Sequence, residues 1–313
     1  MERIYQISTL IFYGCAGGAA FSLGLIIGLV KGEGGRSALR GLEALLLSTI
    51  GAFLSAGFIN GMFYLAKSQR AAGLAIGWGF FLVPGLIDSI RAIWSAVPKA
   101  TTPQVLTWCA LSIGAFGGMM DGVFCIHRWR GFGVLTFLVD YTWGLVGSTL
   151  GCLIHLVNTG WGDHTNHERE GGHLYGSGFR LAGGFAHTQG NVMSNMGQSG
   201  PNSNLCRHEK THTLQNRIFG PFFVLSALTW AVIMFIPGMI AGGVKNNATV
   251  GDGIFSLCYR NSLWEAWARS VGGQTLTEPL VWSTTVSIIV GIIFLILCIA
   301  GGVSISLAVF NII

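Results

Sequence analysis

Charge is scarce in this chain. Aspartate, glutamate, lysine and arginine make up 10% of its 313 residues, against about 25% in typical soluble domains. No run of like charges occurs, which argues against a nucleic-acid-binding face or an acidic interaction tail. The seven cysteines form no C-x-x-C pair, and most lie inside apolar stretches, where they read as packing residues and not as a disulfide framework. The 47 glycines follow no three-residue period, which excludes a collagen-like rod. What the chain has is hydrophobic residues, 51% of the total, and a mean hydropathy of +0.59.

This balance predicts a mainly α fold: a polytopic transmembrane helical bundle of about seven spans, with a small Gly-rich extramembrane subdomain containing short β-strands. Apolar stretches long enough to cross about 30 Å of hydrocarbon fall at residues 8–30, 41–66, 71–97, 105–126, 133–156, 219–243 and 280–311. Gly14/Gly18, Gly24/Gly28, Gly57/Gly61 and the series Gly114, Gly118, Gly122 have the four-residue spacing that lets helices approach closely. The net charge of +5 is spread along loops, which suits anionic lipid headgroups. The expected setting is a multi-pass integral protein of a cell or inner membrane, with lipid as a partner and no nucleic acid.

Asp88, Arg91, Asp121 and Asp140 fall at membrane depth, where ionisable groups face a bundle interior or a water-filled cavity. Two readings follow. They pair with one another and fix helix packing, Asp88 and Arg91 being about one turn apart; or they line a polar route, with Asp140 supporting the site described next.

Composition changes at residues 157–203, which are polar, Gly-rich and hold His164, His167, His173 and His187. Short pieces such as Leu174-Tyr175, Phe179-Arg-Leu181 and Asn191-Val-Met-Ser194 predict one or two β-hairpins. The chain therefore divides into residues 1–156 (spans one to five), 157–219 (the Gly/His-rich segment and a polar helix) and 220–313 (two further spans with an intervening loop).

The polar helix carries His208-Glu209-Lys210-Thr211-His212. Residues four apart share a helix face, so the two imidazoles can grip one metal ion, and Glu209 can reach a water in its open position. Ser203 and Asn204 supply N-cap chemistry in front, and Gly220-Pro221 interrupts the helix behind. A chain with this few histidines and glutamates would show about 0.005 such matches by chance. Catalytic zinc takes three protein ligands, so one more is needed. Glu265, in Asn261-Ser-Leu-Trp-Glu-Ala-Trp-Ala-Arg269, is the leading candidate, although Ser262-x-x-Glu265 also matches a capping box in which the glutamate serves only its own helix. His187, His173, His167 and Asp252 are the alternatives. Cys206 points to another face and reads as packing, while Gln215 and Asn216 either orient ligands or are simply polar.

His208-Glu209-x-x-His212 followed by Glu265-x-x-Ala268 resembles the gluzincin metallopeptidases, whose third ligand is a glutamate on a following helix. The stretch from Gly190-Asn-Val to Arg207-His-Glu-Lys-Thr-His-Thr-Leu-Gln-Asn-Arg-Ile-Phe-Gly-Pro221 also resembles a largely uncharacterised group with an H-E-x-G-H-T-x-Q pattern and a Leu-Gly-Pro turn, found in membrane proteins. The likeness covers roughly residues 135–273. It implies one zinc ion per chain on His208, His212 and Glu265, with Glu209 as general base. Two departures stand out: Lys210-Thr211 replaces the usual small residue, and Arg269 stands where gluzincins often have an aspartate. The expected activity is hydrolysis of a peptide or membrane protein near the membrane surface, with His187, His173, Tyr175 and Arg269 as candidate oxyanion stabilisers. The rival expectations are a transporter or channel with a structural metal site, and an inactive relative that binds metal and a partner.

Overall fold

Glycine sets how the first helices meet. The computed structural model describes residues 2–66, 68–82, 101–165, 168–180, 184–244, 249–274 and 283–309. Helices α1 (Glu2–Val30) and α2 (Arg36–Leu65) precede a short α3 (Gln69–Ile76) that runs on into a π-helical turn, Gly77–Phe81, and then α4 (Thr102–Val123). Gly114, Gly118 and Gly122 of α4 lie against α2: a Cβ on them would stand 2.2 Å from the Gly51 carbonyl oxygen, 2.1 Å from that of Leu47 and 2.4 Å from the Ala44 Cα. No side chain fits there, so for this series the small-residue spacing read from the sequence is the contact itself; a Cβ on Gly14, Gly18, Gly57 or Gly61 would meet no described neighbour.

After α4 come α5 (Gly133–Asp140), α6 (Leu145–Trp161), three short strands, α7 (Asn204–Phe219), α8 (Pro221–Val244), α9 (Val250–Phe255) with a second π-helical turn at Ser256–Arg260, α10 (Leu263–Gly272) and α11 (Thr284–Val309). Among the described residues, four helices are long and apolar enough to cross a membrane: Phe12–Val30 within α1, then α2, α8 and Thr284–Ser304 within α11. The expected fifth span, 133–156, is instead two helices, α5 and α6, bent by 84°. Counted as one broken span, the pair brings the total to five, where seven were expected. The expected third span is described only as far as residue 82, and Asp88 and Arg91 lie outside the described residues.

The bend between α5 and α6 is where Asp140 finds its partner. Its carboxylate accepts two hydrogen bonds from Arg217, from Nε at 2.8 Å and from an Nη at 2.7 Å. The Asp140 side chain is buried and that of Arg217 largely so. Asp140 thus neither pairs with the other membrane-depth acids nor touches the metal ligands; it anchors the C-terminal end of α7. Arg217→Ala should leave an unpaired buried carboxylate and destabilise the chain by about 3–5 kcal/mol. A thermal-unfolding comparison in detergent, with Asp140→Asn/Arg217→Ala beside the single variants, checks this: the double variant should recover part of the loss.

The strands β1 (His173–Leu174), β2 (His187–Gln189) and β3 (Val192–Ser194) form one small sheet in the order β1-β3-β2. β2 and β3 are an antiparallel hairpin, and β1 runs parallel to β3. The turn passes through Gly190 at φ +57°, pressed so close to the backbone of Gly147 that only glycine fits. Of the expected strand at 179–181, Phe179 and Arg180 are not in a strand and Leu181 lies outside the described residues; Phe179 packs on Ile154, Tyr175 and Val192.

Candidate metal centre

The HExxH stretch folds as its caps dictate. The Ser203 hydroxyl accepts from the Cys206 backbone N–H at 3.1 Å and starts α7. Gly220 ends it at φ +52°, with the Trp143 indole donating to the Ile218 carbonyl. Cys206 packs with Leu174, Met193 and Met196 under the sheet, as its helix face requires. His208 and His212 face the same way, and α10 brings Glu265 to them across the α8 span.

The donor atoms of three residues converge, with one carboxylate oxygen of Glu265 towards each histidine. His208 Nε2 and His212 Nε2 are 3.2 Å apart, His208 Nε2 and Glu265 Oε2 3.3 Å, and His212 Nε2 and Glu265 Oε1 3.1 Å. Donors about 2.0–2.1 Å from a tetrahedral ion stand roughly 3.3 Å from one another, and each of these pairwise separations is close to that. All three residues are buried, and together they can hold a metal ion. His187, His173 and Asp252 are not part of this group, and His167 lies outside the described residues. Asp252 is exposed and caps its own helix through Thr249.

Glu265 resolves the two readings of its motif by doing half of each. Its backbone N–H donates to the Ser262 hydroxyl at 3.3 Å, the cap expected of that motif. Its carboxylate does not return to the Ser262 backbone N–H, which donates to the Tyr259 carbonyl, and turns to the two histidines. Gly272 lets the helices come this close, since a Cβ there would lie 3.1 Å from the Cβ of His208.

The supporting contacts are uneven. His212 Nδ1 bonds Gln215 Oε1 at 2.8 Å, and Gln215 Nε2 donates to the Trp264 carbonyl at 3.0 Å. One side chain therefore sets the His212 tautomer and ties α7 to the helix carrying Glu265. His208 Nδ1 is buried with no hydrogen-bond partner among the described residues. Arg269, where an aspartate was the usual partner by resemblance, instead donates to the Arg260 carbonyl and stands 3.8 Å from Glu265 Oε2. Gln215→Leu removes the hydrogen bond that orients His212 through Nδ1 and should weaken metal binding about 10–100-fold; competition with a metal indicator measures it.

Electrostatics favour a cation here. Burial opposes ionisation of Glu265, but the facing His212 and His208 outweigh it and hold the carboxyl well below its usual range. Burial would likewise lower His212, yet Glu265 and, behind it, Glu209 raise it to about 9. The carboxylate thus holds a proton on His212 at the place a metal ion would take.

Glu209 lines the same cavity as His212 and Glu265. Its Oε2 accepts from the Thr188 hydroxyl at 2.6 Å, so a residue of the edge strand fixes the carboxylate. The cavity, about 410 Å³, also exposes His187 and Tyr259 to the ligands. Burial, then the charge on His212, lowers His187 to about 4, leaving it neutral at physiological pH. Burial, then Glu265 and Glu209, raise the Tyr259 phenol, which stays a donor.

No family model, curated protein or solved structure matches this chain. The reading of the site therefore rests on its own geometry.

Two candidates belong elsewhere. His173 and Tyr175 join a separate buried cluster around Asp121. Asp121 Oδ1 bonds His173 Nε2 at 2.9 Å, while Oδ2 bonds His127 Nε2 at 2.7 Å and accepts from the Tyr141 hydroxyl at 2.9 Å. His173 Nδ1 meets His164 Nε2 at 3.0 Å, and Tyr175 bonds His155 Nδ1 at 2.8 Å. The cluster seats β1 and the hairpin, through Asn191, on the end of α4. Sequence reasoning missed Thr188 and Tyr259. Neither carries a local signal: Thr188 acts across the fold, and Tyr259 is aimed by a π-helical turn, a feature frequent at functional sites.

Proposed function

We propose that the chain is a membrane-embedded zinc metallopeptidase hydrolysing peptide bonds at or near the membrane surface. One observation carries this reading: His208, His212 and Glu265 converge, buried, beside Glu209, and a cavity lined by His212, Glu265 and Glu209 gives access to them. A purely structural zinc site would be closed by four protein ligands; among the described residues three converge here. The choice of zinc rests on the His₂Glu set, which also occurs in catalytic zinc sites.

A metal ion in this site supplies a water of lowered pKa and an electrophile for the substrate carbonyl. The residues do the rest. Glu209, held through one oxygen by Thr188, takes the proton of the attacking water and passes it to the leaving amine. His187 and Tyr259 face the same space as donors for the oxygen that gains charge in the transition state. β2 has β3 on one side and, among the described residues, no strand on the other. An extended substrate backbone pairs along that strand-free side.

Metal removal tests the reading. The detergent-purified chain, given casein and a mixed peptide library, should cleave peptides; treatment with 1,10-phenanthroline should stop cleavage and added zinc should restore it. Cleavage that survives complete metal removal rules the mechanism out.

A further inference from the structure

The cavity that reaches the ligands does not end at them. It continues along α8, where Phe223, Val224, Ala227, Leu228 and Ala231 form its wall. These positions fall at i, i+1, i+4, i+5 and i+8, one face of the helix. From Phe223 to Ala231 that face runs roughly 12 Å into a helix long and apolar enough to cross a membrane. Phe223 links the two ends: its ring centroid stands 6.4 Å from that of His212. Leu228 is 53% exposed as well as lining the cavity, so the cavity opens where the span faces outward. Across from α8, Phe185 and Phe255 meet edge to face with ring centroids 5.6 Å apart, and the π-helical turn is tied to the span by the Trp230 indole donating to Leu257 at 2.9 Å.

One continuous space thus offers backbone pairing along β2, a metal group and general base in the middle, and an apolar wall that descends a membrane span. From this we infer that the substrate is a bilayer-anchored polypeptide, cut close to where its apolar segment leaves the membrane. Its extended backbone pairs with β2, the scissile carbonyl lies at His208, His212 and Glu265, and its apolar side chains on the membrane side lie against Ala227 and Ala231. The small size of those two residues makes the room. A lipid acyl chain would fill the apolar wall equally well, but it has no amide groups to pair with the open strand edge. The inference rests on the peptidase reading above.

The test uses the full chain reconstituted in phosphatidylcholine vesicles. The probes are two synthetic peptides sharing one cleavable polar sequence, one water-soluble and one carrying a membrane-spanning Leu/Ala segment. The anchored peptide should be cut at least about tenfold faster, and Ala227→Trp or Ala231→Trp should remove that advantage by about tenfold or more. Both variants should keep the wild-type metal content, which shows that the site remains folded. Equal cutting of both peptides, unchanged by either tryptophan, overturns the inference and leaves the peptidase reading standing. Metal bound with neither peptide cut overturns both. A photoactivatable phospholipid that crosslinks to Ala231→Cys and is not displaced by the anchored peptide assigns the wall to lipid and also overturns the inference.

Discussion

Glu265→Ala is expected to strip the site of metal while leaving the helix that carries it intact. The two functions of this residue are separable because they use different atoms. The cap uses the backbone N–H, bonded to the Ser262 hydroxyl at 3.3 Å, and alanine keeps it. The metal function uses the carboxylate oxygens, 3.3 and 3.1 Å from the histidine nitrogens, and alanine lacks them. Two imidazoles alone are a weak zinc site, so metal content should fall from about one ion per chain towards none, with helicity by circular dichroism unchanged. Retention of full metal by Glu265→Ala would return Glu265 to a capping role and send the search for a third ligand to His187, which lines the same cavity.

Glu209→Gln separates catalysis from binding. Glutamine matches glutamate in shape and its carbonyl oxygen can still accept from Thr188, whose hydroxyl reaches Oε2 at 2.6 Å in the native chain. It cannot take a proton. Turnover should fall by about 10²–10⁴-fold with metal content and stability unchanged. A site that holds metal only for structure, whether in a transporter or in an inactive relative, has no use for a base, and there the substitution would leave every property of the protein as it was. Purified wild type and variant, assayed side by side on a peptide the wild type cuts, decide between these.

The parts of the site legible in the sequence are those whose geometry is local. The i, i+4 histidines and their adjacent glutamate follow from helix periodicity, and Ser203 and Gly220 bound that helix as their chemistry predicts. Gln215 was half legible: three residues past His212 it shares the ligand's face, but its bond to the Trp264 carbonyl belongs to the tertiary fold. Glu265 was visible as a candidate and ambiguous because one motif served two purposes. His173 and Tyr175 misled because histidine-rich composition says nothing about which acid each ring meets; both went to the cluster of Asp121. Asp140 was read with the membrane-depth acids, and its partner proved to be Arg217 on the metal helix, a pairing between distant segments. Hydropathy measures length and composition, and it cannot see that residues 133–156 break between Asp140 and Leu145 and turn through 84°.

The measurement that tests the central claim most directly is the metal content of the detergent-purified wild-type chain, by inductively coupled plasma mass spectrometry after growth with zinc and without chelator. The predicted result is about one zinc per chain, absent from His212→Ala and from Glu265→Ala. Wild-type protein that holds no metal after zinc has been supplied would contradict it, since three buried residues with pairwise contacts of 3.1–3.3 Å would then be an ion-paired cluster and nothing more.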